Sequence, residues 1–141
     1  MMQELLPEVE YWDVEDDGFH PDAFDNYQEQ CASEFAFYPG MLIYPALGLA
    51  GEAGEVVEKV KKLVRDDEMP LDESFHTGDI DPEKRLAIAL ELGDVMFYIA
   101  MIADDIDYTL GEIVEMNLQK LSDRKERGHL RGSGDNVEVA V

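Results

Sequence analysis

Apolar side chains recur at spacings of three and four in four separate stretches of this sequence, and no stretch alternates apolar with polar over the length of a strand. That period belongs to the α-helix, so it restricts the chain to an all-α architecture. Phe24, Tyr27, Cys31 and Phe35 carry the first stretch, which starts at Pro21 and is closed by Tyr38-Pro39-Gly40. The second runs from about Tyr44 to Arg65, with Leu49, Ala53, Val56, Val57, Val60, Leu63 and Val64 as its apolar stripe. Residues 66–80 hold Pro, Gly and acids without a period and read as a loop, functional or simply mobile. Asp81-Pro82 is a good helix start, and the third stretch continues to about Ala103. Thr109 and Glu112 form a capping-box pattern for the fourth, which ends near Gly128 and shows Ile113, Val114, Met116, Leu118 and Leu121 on its apolar face. Four helices of this size predict a four-helix bundle over residues 21–135. An acidic N-terminal arm (1–20) precedes it and a short C-terminal tail (136–141) follows.

Charge narrows the classes of function. The chain has 141 residues, enough for one domain with one core, and its 45% hydrophobic content is that of a globular protein. Its net charge is −22, and none of its 11 Lys and Arg precedes Lys59. Binding to long nucleic acid by phosphate neutralisation is not expected of such a chain. No apolar window of about 18 residues is free of charge, and the start has neither a basic region nor a sustained apolar one. Cys31 stands alone and is expected as a small buried helix residue, so no disulfide frame forms within one chain. These features predict a cytoplasmic protein with no membrane partner. The acid excess also fits a solubility or high-salt adaptation.

The acids are not evenly spread. Glu52 and Glu55 lie three residues apart in GLAGEAGEVVEKVKK, and Glu91 and Asp94 repeat that spacing inside the apolar LELGDVMFYIAMIA. Residues three apart sit about 60° from each other on a helix, so each pair shares a face. If the second and third helices pack antiparallel, both pairs meet across the seam. Four carboxylates so placed would repel one another and shift their pKa values upward unless a cation is present. An oxygen-only set suits Mg²⁺, Mn²⁺ or Ca²⁺, and Mg²⁺ in turn points to phosphoryl chemistry. His20, His76 and His129 do not have the Glu-x-x-His spacing of di-iron bundles. One such acidic pair alone is most often a solvated face. Glu58 lies off the face of Glu52 and is expected to pair with Lys62 at i,i+4.

Three blocks, GLAGEAGEVVEKVKK, ELGDVMFYIA and NLQKLSDRKERGHLRGSGD, together resemble the MazG-like nucleotide pyrophosphohydrolases of the all-α NTP pyrophosphatase superfamily. The resemblance covers roughly residues 22–135. It implies a helical fold assembled as a homo-dimer or homo-tetramer. It also implies Mg²⁺ dependence, with Mn²⁺ as a substitute, and hydrolysis of nucleoside or deoxynucleoside triphosphates to monophosphate and pyrophosphate. Carried over by position, Glu52, Glu55, Glu91 and Asp94 resemble metal ligands. Of these, Glu55 is our choice for the carboxylate that also orients the attacking water. Asn117, Lys120 and Arg124 resemble the residues on the substrate side, and Tyr98 is placed to face the nucleotide. The nucleobase is expected to rest on aromatics such as Phe24, Tyr27 or Tyr38. Two positions depart from the family pattern: Gly51 stands where many relatives have an acid, and Val137 where an Arg is common. The alternative is a non-enzymatic helical oligomerisation or binding module with a solvated acidic face; a ferritin-like metal protein ranks third.

Overall fold

The computed structural model describes residues 21–38, 42–72 and 74–128. The expected N-terminal arm, the C-terminal tail, Val137, His20 and His129 lie outside the described residues. Within them the chain is all-α, a four-helix fold of α1 (Pro21–Gln30), α2 (Ile43–Asp66), α3 (Pro82–Asp105) and α4 (Leu110–Glu126), with no strand among the described residues.

Local chemistry explains the ends of these helices. The Asp81 carboxylate accepts the Glu83 N–H at 2.9 Å, and Pro82 takes the first helical position of α3, where its missing N–H costs nothing. At α4 the capping box is complete: the Thr109 hydroxyl accepts the Glu112 N–H at 3.1 Å, and the Glu112 carboxylate accepts the Thr109 N–H at 2.9 Å. α3 ends in a Schellman motif, with the Tyr108 N–H on the Ala103 carbonyl and Asp107 in the left-handed region at φ 57°. The first helix differs from the sequence reading. It gives way at Cys31–Phe35 to a π-helical turn, which fits an extra residue into the turn and breaks the apolar period. Cys31 stays buried, but Phe35 is 60% exposed. The 66–80 loop is partly ordered by a 3₁₀ turn at Thr77–Asp79. Met69, Phe75 and Ile80 there line a cleft with Leu63 and Lys84, at the end of the α2–α3 pair.

α3 is the hub. It touches α1, α2, α4 and the π-helical turn, whereas α2 packs on α3 alone among the described elements. The core forms on the C-terminal half of α3, where Ala100 and Met101 join Cys31 and Leu110, with Phe24, Tyr38, Met96 and Phe97 packed around them. By length and composition an 18-residue window of α3 is apolar enough to cross a membrane, with a mean hydropathy of 1.9, despite the expectation drawn from its charges. Glu91 and Asp94 nevertheless sit near its middle, where charge is costly in lipid.

A second pairing joins α1 to α4. The Gln28 side chain, buried, accepts the Leu110 N–H at 2.5 Å and donates to the Tyr108 carbonyl at 3.0 Å, while Asp25 accepts the Gly111 N–H at 2.8 Å. Two residues of α1 thereby satisfy the orphan donors at the start of α4.

Candidate functional site

The seam between α2 and α3 is where the acids meet. Carboxylate oxygens of Glu52, Glu91 and Asp94 lie within 4.8 Å of one another. Glu52 and Glu91 are half-buried and Asp94 is exposed. Partial burial, then the charges of Asp94, Glu91 and Glu55, push the Glu52 carboxyl above its usual range. Such a group favours a proton or a cation. Glu55 is not one of the convergent three. It lies about 60° round α2 from Glu52 and is exposed, yet its charge still acts on Glu52.

The acids have a basic neighbour that the sequence reading did not single out. Lys59 Nζ lies 3.1 Å from Glu91 Oε1 and so ties α2 to α3. Its signal was present in the sequence: seven residues after Glu52, it returns to within about 20° of the same helix face. Glu58 points elsewhere, as expected. It lies 3.6 Å from Lys62 and closer to Lys61, whose hydrogen bond does most to hold its carboxyl below the usual range.

Aromatic rings border the acids on the other side. The Tyr98 ring lies directly over Gly48 of α2, where an added Cβ would come within 2.2 Å of it, so α2 needs glycine at this crossing. Burial raises the pKa of the Tyr98 phenol, with Tyr44, Glu52 and Asp94 adding to the effect. Tyr44 stacks on Tyr38 at 4.4 Å, and Phe37 meets both rings edge-on. Burial pushes the Tyr38 phenol up to about 12, helped by Asp105, and its hydroxyl has no hydrogen-bond partner among the described residues. Tyr27 is also pushed up to about 12, by burial, Cys31 and Asp94. Tyr27 and Tyr98 therefore feel the charges of the acidic seam, while Tyr38 lies by Asp105 and packs, like Phe24, against the core. Tyr44, which the sequence reading left unassigned, joins these rings.

Asn117, Lys120 and Arg124 sit on α4, which packs on α1 and α3 and not on α2. Asn117 is exposed, and the two cations are half-buried. Gly51, where relatives carry an acid, is exposed with nothing within 4 Å of an added Cβ, so packing does not forbid the acid there.

This donor set can bind a hard divalent cation through oxygen alone, next to a platform of rings. The family model described as the MazG nucleotide pyrophosphohydrolase domain matches residues 45–129. The chain is 43% identical over 113 residues to the "Gene 37 protein" of Mycobacterium phage L5, an alignment that spans 74% of this chain and 91% of that protein. No solved structure matches it.

Proposed function

Since the chain belongs to the MazG nucleotide pyrophosphohydrolase family, we propose that it hydrolyses nucleoside or deoxynucleoside triphosphates to the monophosphate and pyrophosphate. The observation that carries this reading is the convergence of Glu52, Glu91 and Asp94 on one point of the α2–α3 seam. The three carboxylates fit a hard cation: all the donors are oxygen, and an ammonium already lies against Glu91. Mg²⁺ there, with Mn²⁺ as substitute, would neutralise charge on the triphosphate and on the departing pyrophosphate.

The chain's own residues do the rest. Glu52, Glu91 and Asp94 would hold the cation, while the exposed Glu55, one turn along, orients a water for in-line attack on the α-phosphorus and takes up its proton. Asn117, Lys120 and Arg124 supply the phosphate contacts from α4. The nucleobase rests on the rings of Tyr27, Tyr38, Tyr44 and Tyr98, because stacking on an aromatic face suits any base.

The protein works as a homo-dimer or homo-tetramer and has neither a membrane nor a long nucleic acid as partner. Its apolar surface supports assembly: Ile43, Leu47 and Val57 of α2 are 68%, 69% and 65% exposed.

The test is a panel of NTPs and dNTPs incubated with Mg²⁺ and then with EDTA, with products resolved. Pyrophosphate and monophosphate released in one step support the reading. Orthophosphate as the first product, or no turnover with either cation, would favour the helical binding module.

A further inference from the structure

Lys59 is the first Lys or Arg of the chain and lies among acids. Its ammonium is 3.1 Å from Glu91, whose carboxylate converges with those of Glu52 and Asp94. The neighbouring lysines along the α2–α3 seam have other partners. Lys62 faces Glu58, and Lys84 holds both oxygens of Asp67 at 2.5 Å. Lys59 and a divalent cation would therefore draw on the same carboxylate. Two positive charges on Glu91 repel each other, so each weakens the other's hold on it.

Space is available for the ammonium to move. Lys59 lines a groove of about 170 Å³ that continues along the seam past Lys62, Leu63 and Lys84. Its side chain is 33% exposed, so its flexible four-carbon stem can swing without unpacking the helices.

We propose that Lys59 is the resident counter-ion of the acidic site, holding Glu91 while no divalent cation is bound and turning to the polyphosphate of the incoming nucleotide once one is. The proposal rests on the pyrophosphohydrolase reading and adds to it an exchange of ion pairs. In this role Lys59 limits the affinity of the site for free metal and strengthens its affinity for the metal–nucleotide pair. A lysine that merely braced α2 on α3, or oriented Glu91, would repel free metal too but would not strengthen nucleotide binding.

The experiment measures two ligands separately on wild type, Lys59→Met and Glu91→Gln. Mn²⁺ alone is titrated by calorimetry, and a non-hydrolysable α,β-methylene triphosphate is then titrated at saturating Mn²⁺. Lys59→Met is expected to bind Mn²⁺ about three- to ten-fold more tightly than wild type, the range implied by removing one partly exposed like charge beside a divalent ion. It should bind the analogue more weakly by a similar factor. Mn²⁺ affinity that is unchanged or weaker in Lys59→Met overturns the proposal, as does unchanged analogue binding. If Lys59→Met does not melt cooperatively, Lys59→Gln, which keeps a polar end without charge, takes its place. Failure of the underlying reading looks different: wild type itself binds no Mn²⁺, and Glu91→Gln changes nothing.

Discussion

Glu91 is the residue on which two claims meet, because it converges with Glu52 and Asp94 and pairs with Lys59. Glu91→Gln removes one charged oxygen ligand at almost constant volume. Turnover is expected to fall by about two orders of magnitude or more, since charge stabilisation by a bound cation is worth several kcal/mol. Circular dichroism should show an unchanged helical fold. Gly48→Ala probes the other side of the site. The new methyl would collide with the Tyr98 ring, so the ring must leave its place beside Glu52 and Asp94 or α2 must shift off α3. A destabilisation of about 1–3 kcal/mol in urea unfolding is expected, the usual cost of overpacking, together with a raised KM. The phenols of Tyr27 and Tyr38 make a third prediction. Both are pushed up to about 12, mainly by burial, while the unfolded chain ionises near 10. The folded state keeps these protons longer, so stability is full below pH 10 and falls as pH rises from 10 towards 12. Spectrophotometric titration should show late-ionising tyrosines, with one fewer in Tyr38→Phe.

The helices owe their ends to two kinds of contact, and mutation separates them. Thr109 caps α4 from within its own turn, so Thr109→Ala should cost about 1 kcal/mol in urea unfolding. Gln28 caps the same helix from α1, across 82 residues of sequence. Gln28→Leu would leave the buried Leu110 N–H and the part-buried Tyr108 carbonyl without their Gln28 partner. Its cost should be larger, about 2–4 kcal/mol. An unchanged stability in Gln28→Leu would show that the bond from α1 adds nothing beyond the local cap.

Among the described residues much apolar surface is exposed. α2 has α3 as its one helical neighbour among the described elements, and Ile43, Leu47 and Val57 face outward. The stripe read on α2 is thus wider than α3 can cover, and the one read on α4 likewise leaves Met116, Leu118 and Leu121 exposed. Light scattering at micromolar protein should give at least twice the 15.9 kDa chain mass. Val57→Lys should lower that mass if α2 forms the contact. Because each chain carries a net charge of −22, assembly should strengthen as salt rises to about 0.15 M and screens the repulsion.

The sequence alone determined whatever depends on neighbours within about four residues. The helical period, the Asp81-Pro82 start, the Thr109–Glu112 box and the two acidic pairs were all legible, because one helical turn settles each of them. Cys31 in the core was legible too, from the apolar period and its residue type. What the tertiary structure decided is the rotation and register of α2 on α3. That register gathers Glu52 with Glu91 and Asp94, leaves Glu55 outside the group, and sets Lys59 on Glu91 and Tyr98 on Gly48. The capping of α4 by Asp25 and Gln28 likewise needs α1 packed against α4, and the π-helical turn after α1 lies against α3. A helical period gives the face a residue occupies; which residue of another helix it meets is set by packing over the whole length of both, and no local pattern encodes that.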